Sequence, residues 1–324
     1  MRYDEEAMQD FHFQDVELLE TKEQREHAEM ICLPSEVHAV QLTEDTFRLS
    51  LETQEVFVAL YLGPDYQVLG ATEIARGKMD DMTGAIRRVL QCAVLFYADQ
   101  VLLACSHPSG ELLPSKREWK GACMLQEAAK LLGIRVIDHV FFQGRAYVSM
   151  NGLANAFAKE RHHPGKELLE KQIHTVPAHS DLFPDQLAGL EPVNPSIKAA
   201  SLDAAGQRVK DAGQAVRILD EAFHFGRDRP DRICVLYLTL DGRMVGTADV
   251  QNVSGASTQE LIDIVFRTAL RCNATAMVVG YAPEQPCGMS KMERKQLEGI
   301  HHAATMMGIC LRVCLVAEGG SQED

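Results

Sequence analysis

The 324-residue chain has one tryptophan, Trp119, and aromatic residues make up only 6% of it. It also lacks a Cys-x-x-Cys pair, a basic run longer than two residues and a long apolar run. Each shortage excludes something. The longest apolar stretch, near residues 89–98, falls far short of the roughly 20 residues that cross a bilayer, so no membrane association is expected. Net charge is −14, from 46 acidic against 32 basic residues. Such a chain repels phosphate backbones, and its densest basic spots, Arg87-Arg88 and Lys116-Arg117, are too short to offset this. Nucleic acid is therefore not an expected partner. The nine cysteines are odd in number and mostly lie in apolar stretches, as Cys92, Cys123, Cys234, Cys272, Cys310 and Cys314 do. That pattern predicts reduced thiols rather than a disulfide framework. The opening MRYDEEAMQD is acidic and has no apolar leader segment, so the expected location is cytoplasmic. There is no Gly-rich phosphate loop, no Ser-His-Asp order and no His-Glu-x-x-His.

What the chain does contain is a repeat. Leu60-Tyr61-Leu62 recurs as Leu236-Tyr237-Leu238, 176 residues on, each ahead of a Gly that ends the block (Gly70, Gly246). Pro108, Ser115 and Glu118 recur as Pro283, Ser290 and Glu293, 175 residues on. Leu132-Gly133-Ile134 falls near Met307-Gly308-Ile309, and each precedes a strand-like run. An internal duplication at this period, in a chain of this length, predicts two domains, each long enough for its own core. The expected organisation is an N-terminal helical arm over 1–31, a first domain over 32–152, a linker over 153–197, a second domain over 198–317 and a flexible tail over 318–324. Within the first domain, apolar runs on either side of Gly63-Pro64-Asp65 predict a hairpin. Ile86, Val89, Leu90 and Ala93 are at helical spacing. The wholly apolar Val101–Ala104 predicts an interior strand.

The segment 101–142 reads as strand, polar turn, capped helix, strand, with His107 at the mouth of the first strand. It contains Cys105-Ser106-His107, seven residues, Ser115, two residues, Glu118. This frame resembles the His-x-His, seven residues, Ser, two residues, Asp motif of the RadC-like branch of the JAB/MPN (JAMM) metalloprotease superfamily, as does His107-Pro108-Ser109-Gly110. The resemblance implies an α/β fold of two tandem JAB/MPN-type (cytidine-deaminase-like) domains, each a mixed β-sheet flanked by α-helices. It also implies a zinc site. In the family two His and one Asp hold the metal, and a Glu in the preceding helix takes the proton of its water. Carried over, the metal positions are Cys105, His107 and Glu118, and Ser115 and Glu118 are the motif's catalytic positions. A thiolate, an imidazole and a carboxylate are all possible zinc donors. Counting back, however, puts Arg88 where the family has its general base, and Arg does not take a proton. Glu73, Asp80 and Asp81 are the remaining acids on the hairpin side.

A plainer reading covers part of this. Ser115-Lys-Arg-Glu118 is also a capping box, and Ser290-Lys-Met-Glu293 repeats it in a copy that has Gly280-Tyr281-Ala282 where the first has Cys-x-His. Cys105 is equally a small core residue, and the Asp138-His139 pair, which the family shares, reads as structural at a strand start. His162-His163 and His301-His302 are neighbours about 100° apart on a helix and chelate poorly. Gly319-Gly320 fits a flexible tail. Two functions compete. One is a catalytically degenerate JAB/MPN protein that binds or scaffolds a protein partner, its two domains pairing as an internal pseudo-dimer. The other is a divergent zinc metallopeptidase or isopeptidase acting on a peptide substrate at a Cys/His/Glu site in the first domain. A DNA-repair role, suggested by the family's name, ranks third because of the acidic balance.

Overall fold

The computed structural model describes residues 17–18, 32–77, 82–108, 112–159, 169–177, 197–198, 208–224, 231–282 and 290–316, with side chains to 312 in the last stretch and without those of 17–18, 159 and 197–198. The rest of the expected arm, Asp80, Asp81, Ser109, Gly110, His162-His163, much of the expected linker and the tail lie outside the described residues. The chain divides into two compact units: Leu19–Ser196, and Met1–Leu18 with Ile197–Asp324. No helix among the described residues is long and apolar enough to cross a membrane.

The first unit opens with helix α1 (Glu36–Phe47), then the hairpin β2 (Val56–Leu62) and β3 (Val68–Arg76). Helix α2 (Met82–Leu95) leads to β4 (Gln100–Ser106), and α3 (Lys116–Lys130) leads to β5 (Arg135–Gln143). Then come β6 (Ala146–Ser149), α4 (Met150–Lys159) and β7 (Ile173–Thr175). The six strands lie in the order β3-β2-β4-β5-β6-β7, and only β4 and β5 run parallel. Every residue of β2 and β4 is buried, which is why Val56–Leu62 and, within β4, residues 101–105 read as unbroken apolar runs. Gly133 (φ 66) ends the turn between α3 and β5, a left-handed backbone that favours glycine. One sheet face, with Val58, Leu60, Leu62, Leu102, Ala104, Val140 and Phe142, packs on Ala39, Val40, Leu42 and Phe47 of α1. The opposite face carries Phe57, Leu103, Cys105, His139 and Phe141 by alternation and register.

The second unit repeats the topology. Helix α5 (Ala212–Phe223) precedes β9 (Arg232–Leu238) and β10 (Met244–Gln251); α6 (Thr258–Arg271) leads to β11 (Ala276–Ala282), and α7 (Lys291–Met306) to β12 (Cys310–Val316). Its strand order, β10-β9-β11-β12, has the same directions as β3-β2-β4-β5. Elements from α5 to β11 sit 176 residues beyond their counterparts, and those from α7 onward 175. The one-residue difference thus falls after β11, which corrects the alignment: Tyr281, not Gly280, corresponds to Cys105.

Two other expectations are corrected, and the span expected to be linker, read as packing as a helix and strap, is described in part. The arm's helical pattern includes Glu17-Leu18, yet these residues form β1, which pairs antiparallel with β8 (Ile197–Lys198). The span expected to be linker begins inside α4, whose Leu153 and Ala156 are buried, and includes β7. His139 is not at a strand start but in the middle of β5, paired with Leu103 of β4.

Candidate functional site

The site lies where β4 ends and α3 begins. Ser115 is the N-cap of α3: its Oγ accepts from Glu118 N at 3.2 Å, and Glu118 Oε2 accepts from Ser115 N at 2.7 Å. Ser290 and Glu293 cap α7 in the same way. Capping satisfies helix N–H groups that would otherwise lack partners, so these serines are used structurally in both units. The cap also fixes Glu118 in place, and its other oxygen, Oε1, lies 2.7 Å from His107 Nε2. His107 is 7% exposed, and its N–H bonds Phe142 O at 2.7 Å, which locks the residue to the end of β5. Burial alone would raise the Glu118 pKa. The hydrogen bonds from His107 and Ser115 outweigh it and hold the carboxyl at about 2.

Cys105 turns elsewhere. Its Sγ lies 3.3 Å from His139 Nε2, and the His139 ring stacks on Phe141 at 4.4 Å and on Phe57 at 5.5 Å. Burial drives the Cys105 thiol well above its ordinary value, and the negative charges of Glu118 and Glu55 add to this. Burial likewise pushes His139 down to about 3, with its Nδ1 buried and without a hydrogen-bond partner. The pair is therefore a neutral thiol beside a neutral imidazole. A reactive nucleophile needs the thiolate, which this neutral pair does not supply.

These contacts decide how well the residues suit the zinc that the motif implies. His107 and Glu118 use their facing atoms on each other, Glu118 also serves the cap, and Cys105 is a buried thiol engaged by His139. Among the described residues, no set of three or more His, Cys, Asp or Glu side chains is disposed to hold a metal ion. In this arrangement the donor set does not fit zinc.

The structure brings in a residue that the motif count missed. Phe57 of β2 faces Cys105 of β4, and Glu55, just before β2, lies at the same end of the sheet as His107, just after β4. Ser106 Oγ donates to Gln54 O (2.9 Å) and accepts from Val56 N (2.8 Å), bracketing Glu55 at the mouth of the site. Glu55 is exposed, and its charge is felt at Cys105. The only signal in the sequence is a carboxylate immediately before a wholly apolar strand. By contrast Glu73 is bound to Arg76 at 2.8 Å, and Arg88 donates to Gln91 Oε1 at 3.1 Å.

In the second unit Tyr281 stands where Cys105 stands in the first. Its hydroxyl reaches Gln296 Oε1 at 3.4 Å, and Gln296 Nε2 donates to Val253 O and Ala256 O, both at 2.9 Å. Gln296 is fully buried and corresponds to Gly121, against which Met82 packs in the first unit. A hydrogen-bonded plug thus fills the second site.

Residues 19–155 match the family described as RadC-like JAB domain. The chain is 31% identical over 120 residues to a UPF0758 protein of Methanosarcina acetivorans, covering 37% of this chain and 51% of that one. It is 34% identical over 99 residues to a UPF0758 protein of Burkholderia cenocepacia (30% and 38%) and 29% identical over 120 residues to one of Staphylococcus haemolyticus (37% and 51%). The chain spans about half the length of the relatives it matches, or less.

Proposed function

From a chain that carries a RadC-like JAB domain, we propose a protein that binds another protein without cutting it, a catalytically degenerate JAB module. The second unit is, on this reading, a further JAB/MPN copy. The observation that carries the proposal is the closure of the motif side chains into two internal pairs, His107 with Glu118 and Cys105 with His139. In each pair the facing donor atoms are turned to each other rather than to a shared metal position. The position expected to supply the general base is Arg88, and the plug of Tyr281 and Gln296 supports the same reading in the second unit.

A second reading, a divergent zinc hydrolase, is favoured by Glu55. A carboxylate beside His107 could take a proton from a water there, help that is worth roughly 10²–10⁴-fold in rate. That reading requires His107 to part from Glu118 and Cys105 to leave His139. One assay separates the two. The full chain is incubated with isopeptide-linked and linear peptide substrates, with and without added zinc, beside His107→Ala and Glu55→Gln. Binding without cleavage is the expected result. Zinc-dependent cleavage lost in both variants would replace the first reading with the second.

A further inference from the structure

The turn between β9 and β10 gathers three arginines that are far apart in the sequence. Arg208 pairs with Arg243 in an antiparallel bridge, and its Nε–H donates to Asp241 O at 2.8 Å. Arg243 Nε–H donates to Asp241 Oδ2 at 2.9 Å, and Arg312 of β12 donates through Nη2 to Leu240 O. Gly242 permits this approach: its φ of 90 is left-handed, and a Cβ there would lie 2.9 Å from both Arg312 Nη1 and Val209 O. All three arginines are exposed, and Asp241 is the only acid of the turn. Among the described residues each guanidinium spends one N–H on this turn, and an Arg has five. Like charges directly across an antiparallel pair are destabilising, so the Arg208–Arg243 pairing has a cost. The fold does not require it. In the first unit the same bridge joins Cys32 to Gln67, Leu33 N donates to Tyr66 O as Val209 N does to Gly242 O, and Ile137 stands where Arg312 does. The same turn is built there without a cation.

We propose that Arg208, Arg243 and Arg312 form a binding site for a short acidic segment of a partner protein, its carboxylates on the remaining guanidinium N–H groups and an apolar side chain on Leu240. Guanidinium groups held by a first hydrogen bond are preorganised for carboxylates, which they bind through charge-assisted bonds. Leu240 is 70% exposed at the tip of the same turn, which suits a peptide better than a free anion. A long polyanion would meet the −14 of the whole chain. A short acidic segment is screened from charges beyond about 8 Å at physiological salt, so it meets chiefly the three arginines. The inference rests on reading the chain as a binding module and gives that module a surface.

The probe is a fluorescently labelled short peptide of alternating glutamate and leucine, titrated with the full natural chain and followed by anisotropy. Saturable binding is expected, weakening as salt rises, and about tenfold or more weaker when Arg208→Gln and Arg243→Gln are combined. Both side chains are exposed, so the double variant should fold, which its thermal melt checks. Lys120→Gln, which removes an exposed cation of the first unit, and His107→Ala should bind the peptide as the natural chain does. Absence of saturable binding overturns the proposal, and so does equal binding by the natural chain and the double variant. Equal binding of a peptide with glutamine in place of glutamate overturns it too. Preference for an oligothymidylate over the peptide would assign the site to nucleic acid and overturn it as well. Because the readout is binding, it can fail independently of the cleavage assay above.

Discussion

His139→Phe tests the site's electrostatics most sharply. The natural ring is buried in the middle of β5, stacked between aromatic neighbours, with Nδ1 lacking a partner and a pKa of about 3 against an ordinary 6.5. The folded-state pKa of this base is depressed, so the unfolded chain takes up a proton first. The stability that depends on neutral His139 is fully present above 6.5 and is lost as pH falls from 6.5 towards 3. Between about pH 7.5 and about pH 5, protonation of the unfolded state alone removes about 2 kcal/mol. Phenylalanine preserves the stacking, removes the proton site and relieves the orphaned nitrogen, whose burial costs about 1–3 kcal/mol, at the loss of one weak contact to Cys105. Urea denaturation followed by Trp119 fluorescence reports on the first unit, because Trp119 is the sole tryptophan and sits in α3. The natural chain should lose about 2 kcal/mol more than His139→Phe over that pH interval, with the two within about 2 kcal/mol of each other at the higher pH. Equal acid slopes for the two chains would refute the neutral, buried imidazole.

The Glu118 carboxyl, held at about 2, stabilises the fold above its ordinary 4.5, and this contribution disappears as pH falls from 4.5 through about 2. Carboxyl titration by NMR should show this value rising towards 4.5 in His107→Ala; an unchanged value would mean that the Ser115 contacts alone hold it down. Ser115→Ala and Ser290→Ala should each cost about 1 kcal/mol of stability, and glycine at either position less, as urea melts followed by circular dichroism, which senses both units, will show. Asp249→Ala removes the carboxylate paired at 3.3 Å to the Arg232 guanidinium, which is 2% exposed and keeps its bond to Phe223 O, and should cost about 3–5 kcal/mol by the same measurement.

Features fixed by local chemistry were legible in the sequence. Gly63-Pro64-Asp65 marked the β2–β3 hairpin, the unbroken apolar run marked β4, and Ser-x-x-Glu marked the starts of α3 and α7. What could not be read depended on pairing between distant residues. Glu17-Leu18 form a strand only because Ile197-Lys198 pairs with them. Glu55 reaches the site through a β2–β4 register spanning about 50 residues of chain, which a motif count does not encode. Cys105 and His139 meet because β4 and β5 are parallel neighbours, so the metal frame, intact in spacing, places one of its three side chains against a residue outside it. Fold and motif spacing therefore persist where the side-chain contacts have changed, and function has to be argued from those contacts.

The most direct test of a binding role at a closed motif site is the zinc content of the full chain, purified without chelator and without a histidine tag, measured beside His107→Ala. Two closed pairs predict zinc well below one ion per chain and no difference between the two proteins. One zinc per chain, lost on His107→Ala, would contradict the account and return the site to the hydrolases.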